Sequence, residues 1–138
     1  MQRIGHTIIA VIAGVVVAFA LVAAIEWLGQ QMYPTPPGLD LTRPDQAENY
    51  VRTLPIGALL LVLTAWTVAT FCGGIVAAAI EKGRPRRAAA IVGVVVLVVT
   101  IANLVLIPHP LWFSIAGVVS IVVASLAAGR AMSSVPAH

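Results

Sequence analysis

Charge is what this 138-residue chain has least of. Asp, Glu, Lys and Arg make up 9% of it, against roughly a quarter in an ordinary soluble domain. Hydrophobic residues make up 60%. A water-soluble fold of this size cannot hide so much Val, Ala, Leu and Ile, so the excess must face lipid. Cysteine is nearly absent as well. Cys72 stands alone, which excludes a disulfide within one chain and any paired-cysteine motif. It falls inside an apolar run and reads as a buried thiol. Aromatics stand at 6%, and the basic residues sit in short connectors rather than on an aromatic-laced face, so a nucleic-acid partner is not expected. No serine-nucleophile motif and no glycine-rich phosphate loop is present. A zinc site normally needs three or four ligands, and the few His and acidic residues are scattered. The expectation is a protein without enzymatic activity, metal or cofactor.

What is there is a set of four apolar runs. The first, 8–25, follows Arg3 and His6 and ends in the small residues Val22-Ala23-Ala24. A signal peptide opens in the same way, but its apolar region is usually about 7–15 residues. At 1.5 Å per residue this run covers roughly 27 Å, close to a bilayer core of about 30 Å. It reads as a retained span, extending over 8–32. Ala10, Gly14 and Ala18 form a small-residue stripe along it, suited to close helix contact.

The outer loop, 33–53, is the one long connector. Pro34, Pro36 and Pro37 stop the helix and favour an extended course, and Gly38 can turn the chain. Over 42–54, Ala47, Tyr50, Val51 and Leu54 recur at helical spacing. Pro44 suits a first turn, Thr42 or Arg43 a cap, and Thr42 with Asp45 a capping box. The stretch predicts a short amphipathic helix on the membrane surface or on the end of the bundle.

Pro55 opens the second span, 54–80. Ala69, Gly73 and Ala77 form one small-residue row, and Thr70, Gly74 and Ala78 the next. Thr64 and Thr67 are expected to bond back to their own helix. The connector 81–87 follows, with Gly83 placed to end one helix and Pro85 to start another. The third span, 88–107, holds Thr100 and Asn103. Pro108-His109-Pro110 leaves almost no connector before the fourth, 111–128, which carries Gly117, Ser120 and Ala124 on one side. Short links argue for an all-α, integral membrane four-helix bundle, up-down-up-down, forming a single domain. The second to fourth spans should be sequential antiparallel neighbours.

Four spans place Arg3, Lys82, Arg84, Arg86, Arg87 and Arg130 on one side and only Arg43 and Arg52 on the other, which accounts for all eight basic residues. The positive excess marks the cytoplasmic face. Both termini are therefore expected in the cytoplasm, with the proline-rich loop and the His109 turn outside.

Glu26 stands out as a carboxylate at the end of an apolar run. Counting inward from the outer boundary puts Glu26, Asn103 and Ser114 roughly 6–11 Å below the ends of their helices. They can form one polar layer with His109 above it, and Asp40 joins if the loop folds inward. An ionisable group within a span is by default a functional hypothesis, because unpaired burial there costs about 2.5–3.5 kcal/mol or more. The plainer alternative keeps Glu26 at the water boundary beside Trp27, Gln30 and Gln31, and His109 as a wetted loop residue.

These residues also carry a resemblance. Glu26, the stretch Tyr33-Pro34-Thr35-Pro36-Pro37-Gly38-Leu39-Asp40-Leu41, the opening Leu54-Pro55-Ile56-Gly57-Ala58, and Ile107-Pro108-His109-Pro110-Leu111-Trp112 together resemble a set of small bacterial four-span membrane proteins. The resemblance implies a bacterial inner-membrane protein and singles out Glu26, His109 and Trp112. It implies no activity. Ile25-Glu26-Trp27-Leu28-Gly29 is faintly similar to the glutamate stretch of small multidrug exporters. In those, however, the glutamate lies mid-span and no counterpart of this outer loop exists. The trimeric membrane glutathione-transferase class carries charge and asparagine in its second span, which 54–80 lacks.

Three functional expectations follow. The first is a structural or accessory bundle that self-associates into a homo-oligomer or supports a larger membrane complex. The second is a small proton- or cation-coupled transporter or channel using Glu26. The third and weaker one is a metal- or ligand-binding site under the loop formed by Glu26 and His109, joined by Asp40 if the loop folds inward.

Overall fold

The computed structural model describes residues 2–81 and 83–134, and these are helical with short links. Five helices follow in order: α1 (Gln2–Met32), α2 (Pro44–Thr53), α3 (Ile56–Ile80), α4 (Pro85–Leu106) and α5 (Leu111–Ser133). Four of them, α1, α3, α4 and α5, are long and apolar enough to cross a membrane. The chain is an all-α four-helix bundle running up-down-up-down, with α2 in the loop between the first two long helices. Three of the long helices begin earlier or end later than the apolar runs, because helix continues into the polar flanks: α1 starts at Gln2, α4 at Pro85, and α5 ends at Ser133, whereas α3 starts at Ile56, after its Pro55 N-cap.

α3 is the hub. It packs against α1, α4 and α5, whereas α1 meets α4 only along a narrower seam. The reason is its pair of small-residue rows. A Cβ on Gly73 would lie 2.9 Å from the Ala18 side chain and 2.5 Å from the Gly14 carbonyl oxygen. The Ala10–Gly14–Ala18 stripe of α1 is thus seated on the Ala69–Gly73–Ala77 row of α3. The next row faces the other way, for a Cβ on Gly74 would meet the Ala128 side chain of α5 at 2.8 Å and Ala89 of α4 at 3.5 Å. Backbones this close gain dispersion contacts along the whole crossing, which drives helix association where lipid removes the hydrophobic effect. Larger side chains fill the rest of the interior: Trp66, Phe113, Ile121, Val92 and Val96 belong to the main cluster, with Trp66 tilted against Phe113 at 5.3 Å between centroids.

Polar groups in the spans are satisfied locally. Thr64, Thr67 and Thr70 donate to the carbonyls of Leu60, Leu63 and Trp66, each four residues back. Among the described residues no buried side-chain nitrogen or oxygen lacks a partner.

Two local expectations need correction. Thr42 and Asp45 do not form a capping box. Arg43 is the N-cap of α2 and offers no side-chain cap. Thr42 instead donates its N–H and hydroxyl to Asp40 Oδ1, at 3.0 and 2.6 Å, and Asp45 pairs with Arg43. Asp40 stands two residues from Thr42, against three for Asp45, and the local Asx turn wins. Gly83 does not supply a left-handed helix end either. Among the described residues only Gly38 has positive φ, at 83°. α3 stops at Ile80, with Glu81 as C-cap donating its N–H to the Ala77 carbonyl. Lys82, which the basic connector includes, lies outside the described residues.

Candidate functional site

The ends of α1, α3 and α4 nearest α2 leave a cleft between them, and α2 closes over it. The amphipathic pattern explains the closure. Ala47 and Val51, on one face of α2, are 1% and 8% exposed, while Arg52 and Glu48 pair on the outer face at 2.7 Å. Of the two resting places open to this helix, it takes the end of the bundle. Its seat is held by Thr35, whose hydroxyl donates to Gln30 Oε1 at 2.9 Å and lies 3.5 Å from the Tyr50 hydroxyl. The proline-rich turn is thereby tied to both α1 and α2.

The cleft has a volume of about 320 Å³, within the usual range for small-molecule sites. Its polar lining is Glu26, Gln30, Asn103 and His109, and its aromatic lining is Tyr33, Tyr50 and Trp66. Tyr33 reaches its place because Gly57 leaves room: a Cβ there would sit 2.6 Å from the Tyr33 hydroxyl oxygen. Gly29 accommodates Leu61 in the same way, at 2.7 Å. The ends of α1 and α3 are therefore fitted by two glycines, one on each helix.

Glu26 is exposed in the isolated chain and has no hydrogen bond or ion pair among the described residues. His109 is half-buried and stacks on Phe113, with centroids 5.0 Å apart. Its Nδ1 bonds the Ile107 carbonyl oxygen. A carbonyl only accepts, so Nδ1 carries the proton and Nε2 of the neutral ring is an acceptor. Burial lowers the His109 pKa, with the Ile107 bond opposing, so the neutral form dominates at pH 7. The cleft thus presents a carboxylate, an imidazole acceptor and two amides beside three aromatic rings.

Of the residues expected at the site, Glu26, Asn103 and His109 are gathered here and three are not. Ser114 turns its hydroxyl to the Pro110 carbonyl, 3.5 Å away. Trp112 is 42% exposed and packs edge-on to Phe113 outside the cleft. Asp40 is fully exposed and committed to Thr42, whose two bonds hold its carboxyl below the usual carboxylate range. No group of three or more His, Cys, Asp or Glu arranged to hold a metal occurs among the described residues.

Sequence reasoning missed Trp66 and Tyr33 as lining residues. A signal existed for Trp66: it is a bulky aromatic set among the small residues of α3, where only a widened part of the bundle can accept it. Glu81 was missed as a second carboxylate beside an apolar run. It accepts the Thr7 hydroxyl at 2.6 Å, joining the start of α1 to the end of α3. A further groove, apolar and about 590 Å³, runs between Leu63, Phe71, Val119 and Val123 on the lipid-facing side of α3 and α5.

Comparison of the chain with protein-family models, with curated proteins and with solved structures finds no match in any of the three.

Proposed function

We propose that this protein is a non-enzymatic multi-pass membrane protein that binds a small organic cation in the cleft beneath α2. The carrying observation is the composition of that lining. Glu26, an unpaired carboxylate among the described residues, shares the cleft with the Asn103 amide, the His109 acceptor, Tyr33, Tyr50 and Trp66. An ammonium group recognised there gains charge-assisted hydrogen bonds from the acceptors and cation–π attraction from the rings. An apolar substituent finds Leu41, Val62 and Ile107 on the remaining wall.

Binding is favoured over passage through the bundle by the packing below the cleft. Gly14 against Gly73, Gly74 against Ala128 and Gly93 against Ser125 approach too closely for even an added methyl group. The same contacts bear on self-association: the small-residue stripes that motivated it are engaged within the chain. An accessory role in a larger assembly is compatible with ligand binding and rests on no separate feature. In this reading the basic end faces the cytoplasm of a bacterial inner membrane and α2 lies outside.

The test is equilibrium binding of 2-phenylethylammonium to the protein in lipid nanodiscs. Wild type should bind saturably, and Glu26→Gln should weaken binding about 10- to 100-fold, the range for loss of a charge-assisted bond. Unchanged binding in that variant would remove the carboxylate from the site and the proposal with it.

A further inference from the structure

The opposite end of the bundle holds a second feature, independent of the cleft. The first turn of α4 and the last turn of α5 are in close contact there. A Cβ on Gly129 would lie 3.0 Å from the Arg86 Cα and 3.5 Å from the Ala89 side chain. Ala88, Ala89 and Ala128 beneath them are almost fully buried. The glycine therefore brings the α5 backbone next to Arg130 against the first turn of α4, which carries Arg86 and Arg87.

Arg86 is also oriented. Its Nε donates to Ser133 Oγ at 2.9 Å, across 47 residues of chain, and that hydroxyl donates onward to the Gly129 carbonyl. The two terminal amino groups of the guanidinium have no partner among the described residues. Among the described residues no carboxylate forms an ion pair with these arginines. Of the five acidic residues, Glu26, Asp40, Asp45 and Glu48 are at the other end, and Glu81 accepts from Thr7. Arg84, Arg86, Arg87 and Arg130 form no ion pair among the described residues. All four flank helices long and apolar enough to span a bilayer, so they stand at headgroup depth.

We propose that Arg86, held by Ser133 and flanked by Arg87 and Arg130, binds the phosphate of an anionic phospholipid headgroup at the junction of α4 and α5. A guanidinium fixed at Nε presents its remaining donors in the planar fork that matches a phosphate. Fixing it beforehand lowers the ordering cost of binding. Arg84, at the N-cap of α4, has no such anchor and acts only as diffuse charge.

Native mass spectrometry of the detergent-purified full chain, titrated with phosphatidylglycerol or phosphatidylcholine, tests the site. Phosphatidylglycerol should be retained in preference. A generic basic residue near a membrane surface contributes about fivefold, which is the loss expected for Arg84→Ala. Arg86→Ala should lose more, on the order of tenfold or above, and Ser133→Ala should fall between them by freeing the guanidinium. Arg86→Lys should not restore wild-type retention, because the lysine head lacks the fork. Equal losses for Arg84→Ala and Arg86→Ala would reduce the site to diffuse charge and overturn the proposal. Displacement of the lipid by inorganic phosphate at equal concentration would overturn it too, by making free phosphate the ligand. Ser133→Ala leaves the helix contacts in place, so its result decides the matter should Arg86→Ala not fold.

Discussion

At the scale of single residues, two glycines near the outer boundary set the shape of the cleft. Gly57 is the more exacting. Its missing Cβ is the space taken by the Tyr33 hydroxyl, 2.6 Å from where that carbon would be, while the Tyr33 Cζ stands at 3.5 Å. Replacing Gly57 by Ala should displace the ring and destabilise the protein by about 1–3 kcal/mol, the usual cost of overpacking. In a Tyr33→Phe background the same substitution should be nearly neutral, since only the ring carbon at ordinary contact distance remains. Thermal unfolding of the two single variants and the double variant in detergent measures the coupling. Additive losses would show that the hydroxyl does not compete with a methyl group introduced at Gly57. Glu26, Asn103 and His109 were legible as neighbours because helical rise converts distance from a boundary residue into depth. Ser114 satisfies the same count and still misses the cleft. Depth does not report azimuth, and its hydroxyl finds the Pro110 carbonyl first.

At the scale of elements, α2 covers the cleft. It is ten residues long, shorter than an isolated helix needs to be stable in water. Its order therefore comes from Ala47 and Val51 under it, the Thr35 tie, and the outward Glu48–Arg52 pair, an exposed i,i+4 contact worth only a few tenths of a kcal/mol. Val51→Asp should lift α2 while leaving the four long helices formed. Limited trypsinolysis reads this cleanly, because Arg43 precedes Pro44 and resists cleavage, leaving Arg52 as the one ready site in the loop. Wild type should be cut slowly there, and Val51→Asp at least about tenfold faster, with unchanged helicity by circular dichroism. Equal rates would mean that α2 is not held by its apolar face. The existence of α2 was readable from the spacing of Ala47, Tyr50, Val51 and Leu54. Its seat was not, since an amphipathic face carries no information on whether it meets lipid or protein. Trp66 stayed hidden for a related reason: a hydrophobic span does not announce which of its sides borders a gap.

At the scale of the whole molecule, the number of spans and their small-residue rows were legible, but not the arrangement. A chain of short links suggests neighbours in order, and α3, α4 and α5 do touch in sequence. That α3 also holds α1, and so touches every other long helix, follows from its two rows facing different partners, which only packing reveals. Four crossings would put the start of α1 and the end of α5 on one face of the membrane. Single cysteines introduced at Gly5 and Ser134 in a Cys72→Ser background should react with an impermeant maleimide from the same side, and one at Asp45 from the opposite side. Labelling of positions 5 and 134 from opposite sides would contradict the four-crossing topology.

The hub position of α3 has a bearing on how the chain is made. During synthesis α1 and α3 leave the ribosome before α4 exists, and the Gly14–Gly73 crossing lets them settle as a hairpin with one glycine-lined flank still open to lipid. The later pair then docks onto a surface already in place. Asn103 and His109 come with that pair, so the cleft beneath α2 is the last part of the bundle to be completed.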